Sequence, residues 1–373
     1  MSLLRELIAD RIRTSGPISF AEFMELSLYH PELGYYARAA QKTGRAGDFF
    51  TSVDVGPIFG ELLAKQFGDM YRVLLHESPT PNPQSLAFDL VEAGAGNGRL
   101  ARDVLDAAQR IDPEFYSAIR LSLVEQSPAA RAAQKETLGP HASLLGHSGV
   151  ELPEDIRGVV FANELLDALP AHAVVMTENG LREVFVDVAD GHFVERLQDP
   201  STARIADYLS RAGAVMHTGA RAEVNLAAED WITRAANTLR KGFLLIIDYG
   251  HEEARLYGGS HATGTLTSFK RHTQMADFLQ EPGECDITSH VDLTAVTHTA
   301  ERAGLDVLGR LDQTYFLLGL GVADLEGMPL KERLALKTLL LPGGLGSTHK
   351  VLIFGKDVGR PALKGLSYKV RLT

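Results

Sequence analysis

The stretch Phe88–Leu100, FDLVEAGAGNGRL, constrains the fold more than any other part of the sequence. An apolar strand pattern runs into a loop with glycines at alternate positions, and the loop runs into a helix pattern. Because glycine has no Cβ, such a loop can turn tightly and let backbone N–H groups approach a ligand at the helix N-terminus. The stretch therefore predicts a strand, a ligand-binding turn and a helix. A glycine-rich turn without a ligand is the alternative.

The chain after this stretch alternates short apolar runs with helical patterns, which is typical of βαβ units and a largely parallel sheet. Residues 173–197 instead show a period of two, with breaks at Asn179-Gly180 and Asp190-Gly191, and this predicts an antiparallel meander. The predicted strands of the parallel sheet are Leu86–Val91, Arg120–Val124, Ser143–Gly146, Gly158–Ala162 and Phe243–Ile247.

The proline-containing stretch Ser78–Ser85, SPTPNPQS, opposes helix formation and marks a change of pattern along the chain. Residues 1–84 are predicted to form an N-terminal helical region with a glycine-rich loop. Residues 85–373 are predicted to form an α/β core. Two insertions into this core, at about 172–225 and 251–290, are predicted to cover the substrate, since long connections inside a compact domain tend to be functional.

Composition and charge exclude several classes of protein. Lys plus Arg number 37 and Asp plus Glu number 48, a formal charge of −11 that matches a nucleic-acid backbone poorly. A single cysteine, Cys285, excludes an intramolecular disulfide and a multi-cysteine zinc site. No apolar run is long enough for a membrane helix. Glu6 and Asp10 argue against a transit peptide and no signal-peptide pattern is evident, so a cytoplasmic location is predicted.

The spacing of the glycines separates two kinds of cofactor. The dinucleotide fingerprint G-x-G-x-x-G, counted from Gly94, requires glycine at position 99, where the chain has Arg99. A nicotinamide-dependent dehydrogenase is therefore the weaker alternative. Glu92 lies two residues before the first glycine, and this pattern resembles motif I of Rossmann-like S-adenosylmethionine methyltransferases. An acidic residue there favours a cofactor with a positively charged sulfonium and amino group.

Further polar residues follow the predicted strands, where ligands of open α/β sheets bind. Glu125 ends the second strand and can accept hydrogen bonds from two ribose hydroxyls. Asn163, Glu164 and Asp167 follow the strand Gly158–Ala162. Asp and Asn are also common helix caps and turn formers, so a purely structural role is the alternative for each of them.

Several motifs in a fixed order make a family resemblance specific. The chain resembles the MidA-type family of S-adenosylmethionine-dependent methyltransferases from about Ile18 to about Gly355, and it departs from the family pattern around Gly264–His272. The motifs besides Phe88–Leu100 are Gly47–Ser52, Phe59–Glu61, Val124–Pro128, Asn163–Pro170, Asp248–Gly250 and Asp286–Asp292.

This resemblance implies a Rossmann-like class I methyltransferase core with a seven-stranded, mostly parallel sheet. It implies S-adenosylmethionine as cofactor, and a protein arginine methyltransferase that acts on a subunit of the respiratory NADH dehydrogenase, complex I, during assembly. Asp48 and Thr51 are predicted to close over the cofactor cleft. The other predicted cofactor-binding residues are Glu92, Gly94, Gly96, Gly98, Glu125 and Asn163.

For an arginine acceptor, a carboxylate can hold the guanidinium and orient one nitrogen towards the methyl group. Glu164 and Asp167 are predicted to form this clamp, with His290 as proton acceptor. The 13 histidines show no H-x-x-x-H or H-E-x-x-H spacing, so no metal site is predicted. A small-molecule methyltransferase and a non-catalytic assembly factor are the alternatives, and the sequence leaves a homodimer open.

Overall fold

The computed structural model describes residues 2–39, 52–76, 87–270, 273–275, 277–322, 330–341 and 345–368. The chain divides into two compact units, each built from segments that are distant in the sequence. Unit 1 contains Met1–Phe49, Leu166–Ile232 and Gly250–Thr299. Unit 2 contains Phe50–Leu165, Thr233–Tyr249 and Ala300–Thr373.

Helices occur in both units. In chain order they are α1 (Leu3–Ser15), α2 (Phe20–Tyr29), α3 (Tyr35–Ala39), α4 (Ile58–His76), α5 (Arg99–Ile111), α6 (Pro113–Ala118), α7 (Pro128–Leu138), α8 (Arg204–Ala212), α9 (Leu226–Thr238), α10 (Glu253–Leu256), α11 (Leu293–Arg302), α12 (Gln313–Gly319) and α13 (Leu330–Leu340).

The strands also alternate between the units along the chain. They are β1 (Ile18–Ser19), β2 (Phe88–Ala93), β3 (Ile119–Val124), β4 (Leu145–Gly149), β5 (Ile156–Asn163), β6 (His172–Thr177), β7 (Gly180–Ala189), β8 (His192–Gln198), β9 (Arg221–Val224), β10 (Leu239–His251), β11 (Thr267–Lys270), β12 (Thr273–Gln274), β13 (Asp286–Thr288), β14 (Val291–Asp292), β15 (Asp306–Asp312) and β16 (His349–Lys356).

Unit 2 is built around a mostly parallel sheet. In its described residues, seven strands lie in the order β15-β16-β10-β5-β2-β3-β4. The neighbours from β10 to β4 are parallel, whereas β16 is antiparallel to both β10 and β15. Residues Phe243–Ile247 of β10 are fully buried, as expected for a central strand of a mostly parallel sheet with both faces covered. The predicted fold class is confirmed.

The strand order reverses next to β2. From β2 the chain proceeds to β3 and β4 on one side, and it then returns to place β5 and β10 on the other side. In open α/β sheets, ligands bind outside the carboxyl ends of the strands at such a reversal. The glycine loop that follows β2 therefore lies at the position where this architecture binds ligands.

Unit 1 contains the antiparallel meander. Strands β1, β7, β6 and β9 are neighbours in that order, and β8 pairs with residues 183–189 of β7. Apolar residues of the first two helices share a core with this sheet, among them Ile8 of α1, Phe23 of α2 and Val184 of β7. The first helices and the first predicted insertion thus form one unit. The division of the chain into an N-terminal region, residues 1–84, and a core, residues 85–373, stays a prediction.

The predicted long insertion 251–290 also lies in unit 1, and it contains regular structure. It includes α10, a short 3-10 helix at Gly259–His261 and the antiparallel sheet β12-β11-β13. The last two residues of β10, Gly250 and His251, pair in parallel with Val291 and Asp292 of β14. None of the helices in the described residues has the length and apolar character needed to cross a membrane.

Candidate functional site

The glycine loop after β2 adopts a backbone conformation that residues with a Cβ rarely adopt. Gly94, Gly96 and Gly98 have φ values of +70°, +51° and +84°. Gly98 is the N-cap of α5, so the loop leads directly into the helix N-terminus. A Cβ on Gly96 would meet no atom within 4 Å, whereas one on Gly98 would lie 3.0 Å from Leu123. Gly96 therefore presents its backbone to open space at the predicted cofactor position.

Glu125 lies beside this loop, directly after β3. Its Oε2 accepts a hydrogen bond from the backbone N–H of Gly96 at 2.8 Å. Its Oε1 accepts one from the N–H of Ser127 at 2.7 Å. Its own backbone N–H donates to the carbonyl oxygen of Gly149 at the end of β4. The structure thus brings two predicted cofactor-binding residues, Gly96 and Glu125, into direct contact.

Glu92 lies inside β2 with 5 % of its surface exposed. Burial raises the pKa of Glu92 well above its usual range, the backbone N–H of Ala101 opposes this shift, and the charges of Glu125 and Asp103 add to it. Among the described residues, its buried Oε2 has no hydrogen-bond partner. A buried carboxylate oxygen without a partner can accept a hydrogen bond from a cationic ligand.

Asn163 and Glu164 lie at the carboxyl end of β5. Glu164 has a φ of +53°, which a non-glycine residue adopts at an energetic cost, and its N–H donates to the carbonyl of Ile247. Its Oε1 accepts hydrogen bonds from the N–H of Ser52 at 3.0 Å and from Nδ2 of Asn163 at 3.1 Å. Strained backbone held by several contacts is common at functional sites.

Asp248, in the Asp248–Gly250 motif, is fully buried and holds this corner of the sheet together. Its Oδ2 accepts a hydrogen bond from the N–H of Leu165 at 3.1 Å. Its Oδ1 accepts one from the N–H of Tyr249 at 2.8 Å. Asp248 therefore fixes the turn that carries Glu164.

His349, the first residue of β16, is a site residue that the sequence analysis did not select. It is buried, and its Nε2 lies 3.7 Å from Oε1 of Glu164. Its ring also lies 5.8 Å from that of Tyr249, centroid to centroid. More than half of the chain separates His349 from the glycine loop, and no local motif indicates it. Only the pairing of β16 with β10 brings it to this corner.

The other two predicted catalytic residues, Asp167 and His290, belong to unit 1. The carbonyl oxygen of Asp167 accepts a hydrogen bond from the N–H of Ser289 at 3.0 Å, so the two segments are neighbours. Burial, together with the charges of His261 and Arg255, lowers the pKa of His290 to about 4. His290 is therefore neutral at pH 7. Asp48 and Thr51, the predicted lid residues, lie outside the described residues.

Comparisons with known proteins identify the family. The model of the family described as "Putative S-adenosyl-L-methionine-dependent methyltransferase" matches residues 62–311 of the chain. The chain belongs to this methyltransferase family. The family prediction and the prediction of S-adenosylmethionine as cofactor are thereby confirmed.

Curated relatives and a solved structure extend the match over most of the chain. "Protein arginine methyltransferase NDUFAF7 homolog, mitochondrial" of Drosophila melanogaster is 33% identical over 361 residues, 87% of this chain and 76% of the relative. The Danio rerio protein arginine methyltransferase NDUFAF7 is 32% identical, and the match covers 86% of this chain and 77% of that relative. A Burkholderia thailandensis crystal structure with bound S-adenosyl-homocysteine has 30% identity and a TM-score of 0.85, covering 98% of this chain and 94% of that chain.

The polar atoms of unit 2 fit the cofactor of this methyltransferase family. Glu92 Oε2 and Asn163 Oδ1 are buried and, among the described residues, have no hydrogen-bond partner. Both are acceptors, and the methionine part of S-adenosylmethionine carries an ammonium group that donates. Space is open above Gly96, and Glu125 provides carboxylate oxygens next to it. We propose that these residues, with Gly94 and Gly98, hold the cofactor.

The first prediction concerns Glu125. We expect Glu125→Ala to weaken S-adenosyl-homocysteine binding by about 1–3 kcal/mol, because it removes a charged acceptor for the ribose and the contact that orients Gly96. Calorimetry on the purified chain measures this change. Glu136→Ala, at an exposed position on α7, is the control and should bind normally. An unchanged dissociation constant in Glu125→Ala would show that this carboxylate makes no contribution to the site.

The second prediction concerns the pH dependence that Glu92 introduces. Its pKa is raised in the folded chain, so ionisation of Glu92 destabilises the ligand-free protein as the pH rises above the ordinary glutamate range. We expect Glu92→Gln to raise the melting temperature of the ligand-free chain at pH 8, with the gain shrinking towards pH 4.5. The same variant should bind the cofactor more weakly. Equal melting temperatures at pH 8 would contradict the prediction.

Proposed function

We propose that this chain transfers a methyl group from S-adenosylmethionine to an arginine side chain of a protein. The names of the two curated relatives, both protein arginine methyltransferases, support this acceptor. The resemblance to the MidA-type family further suggests a subunit of the respiratory NADH dehydrogenase as the protein that is methylated. A cytoplasmic location and a homodimer stay predictions from the sequence.

The observation that carries the proposal is the carboxylate of Glu164. Its side chain is only 8% exposed, and its backbone has the left-handed conformation at the carboxyl end of β5. Oε1 already accepts hydrogen bonds from Ser52 and Asn163, so that the carboxylate is held in one orientation. In our proposal, Oε2 accepts the hydrogen bonds of the substrate guanidinium.

An arginine guanidinium stays charged at neutral pH and presents several N–H donors in one plane. A charge-assisted hydrogen bond to a carboxylate fixes both its position and its plane. When bound, S-adenosylmethionine supplies a methyl group on a positively charged sulfur. The chain's own contribution is positional: Glu164 orients the acceptor nitrogen, while the glycine loop and Glu125 hold the other reactant. Such positioning can supply a large part of a rate enhancement.

Methyl labelling of purified subunits tests the proposed acceptor. The chain is incubated with isotope-labelled S-adenosylmethionine and each soluble subunit of the respiratory NADH dehydrogenase, and the products are mapped by mass spectrometry. We expect label on an arginine of one subunit, and loss of that label when the arginine is replaced by lysine. Normal cofactor binding without labelling of any subunit would overturn the proposal and favour a small-molecule acceptor or a non-catalytic assembly role.

A further inference from the structure

Three histidines that are far apart in the sequence come together in unit 1. His251, His261 and His290 each offer one ring nitrogen, and these three nitrogens lie within 4.8 Å of one another. The ring centroids are 5.0 Å apart for His251 and His261, 5.2 Å for His251 and His290, and 5.8 Å for His261 and His290. All three side chains are half-buried, so an ion from solution can reach them.

Different elements of unit 1 bring these rings together. His251 is the last residue of β10, and it lies opposite Asp292 in the parallel pair with β14. His290 directly precedes β14, so this pairing places it beside His251. His261 ends the 3-10 helix Gly259–His261, which follows α10. The cluster is therefore supported by paired strands and a helical turn rather than by one flexible loop.

Hydrogen bonds determine which nitrogen of His261 can bind a ligand. Its Nδ1 lies 2.9 Å from the carbonyl oxygen of Arg255. Because a carbonyl oxygen can only accept, Nδ1 carries the proton and Nε2 keeps its lone pair. Histidines that bind metal ions usually donate their other ring N–H to a carbonyl or carboxylate in this way. His261 thus has the tautomer and the support of a metal ligand.

The backbone at His290 is held by a second set of contacts. Its N–H donates to Oγ1 of Thr265 at 3.0 Å. The hydroxyl of Thr265 in turn donates to Oε2 of Glu223 at 2.7 Å, and the N–H of Thr265 donates to the same oxygen at 2.8 Å. Glu223 lies on β9, so His290 is tied to the main sheet of unit 1. A ligand whose backbone is held in this way loses little freedom when it binds an ion.

We propose that His251, His261 and His290 form a binding site for a divalent transition-metal ion, with Zn²⁺ as the ion that fits best. Neutral imidazole is a preferred ligand of zinc, and three histidines with one open position form a common zinc site. The open position would take water or an oxygen ligand. This proposal goes beyond the proposed methyl transfer. A ring nitrogen of His290 that binds the ion cannot also accept a proton, so metal binding is incompatible with the predicted role of His290 as proton acceptor at that nitrogen.

Metal titration of the whole chain tests the site. Untagged protein is stripped with a chelator, exchanged into chelator-free buffer and titrated calorimetrically with Zn²⁺ near neutral pH. We expect one ion per chain at the tightest site. We expect Co²⁺ in its place to give the visible absorption bands of a tetrahedral ion. Each of His251→Gln, His261→Gln and His290→Gln should weaken binding by about tenfold or more.

A matched substitution separates this cluster from ordinary surface histidines. His298→Gln, at an exposed position on α11 in the same unit, should leave Zn²⁺ binding and the Co²⁺ spectrum unchanged. Circular dichroism confirms that each variant folds. The proposal is overturned if the wild-type chain binds no Zn²⁺, or if a folded triple variant binds Zn²⁺ as tightly as the wild type. Both readouts are independent of methyl transfer.

Discussion

Gly96→Val is expected to abolish S-adenosylmethionine binding while the chain still folds. Gly96 has a φ of +51°, and its missing Cβ would point into open space at the proposed cofactor position. A valine there would fill that space and adopt a backbone conformation that costs about 1–3 kcal/mol. That cost is smaller than the total stability of a typical domain, about 5–15 kcal/mol. Calorimetry with S-adenosyl-homocysteine measures the loss.

The control for this variant is Gly139→Val. Gly139 follows α7 in the same unit, has a φ of +53°, and also has no atom within 4 Å of an added Cβ. Both substitutions place a valine at a positive φ, but only Gly96 lies in the glycine loop. We expect Gly139→Val to be destabilised by its backbone strain and to bind the cofactor normally. If Gly96→Val bound the cofactor as well as Gly139→Val, the glycine loop would not be the binding site.

Glu164→Gln is expected to reduce methyl transfer by about tenfold or more, since a loss of ~1.4 kcal/mol of transition-state stabilisation already has this effect. The amide oxygen can replace Oε1 and accept from Ser52 and Asn163, so the turn keeps its contacts. The NH₂ group then takes the place of Oε2, where it meets the N–H donors of a guanidinium. Incorporation of labelled methyl groups measures the rate, and cofactor affinity is recorded in parallel.

Two comparisons make the result specific to the clamp. Glu136→Gln removes a carboxylate from an exposed position of unit 2 and should leave the rate unchanged. Normal cofactor affinity in Glu164→Gln would show that the lower rate reflects the acceptor. A wild-type rate of methyl transfer in Glu164→Gln would remove Glu164 from the proposed mechanism.

Much of unit 2 could be predicted because its elements have strong local patterns. The helix Pro128–Leu138 has such a pattern, since Ser127 caps its first turn and Gly139 ends it. The strand predicted at Phe243–Ile247 is longer in the structure, Leu239–His251, because its polar ends continue to pair with neighbouring strands. The strand predicted at Ser143–Gly146 is observed at Leu145–Gly149, where half-exposed polar residues on an edge strand give a weak pattern.

Features that depend on neighbouring residues can be predicted from the sequence alone. The alternation of strands and helices, the glycine spacing after β2 and the acidic residue at the end of β3 are all local patterns, and each follows from backbone sterics or from side-chain periodicity. The alternation pattern predicted the fold class, whereas the family and the cofactor were implied by the resemblance of the ordered motifs to a known methyltransferase family.

Contacts between residues that are distant along the chain depend on the tertiary fold. The contact of Glu164 with His349 depends on the pairing of β16 with β10. The cluster of His251, His261 and His290 depends on the pairing of β10 with β14 and on a turn between them. Likewise, the first helices share a core with the meander because both have apolar faces to bury. Burial and strand pairing act between segments that are distant along the chain, so no local spacing predicts their outcome.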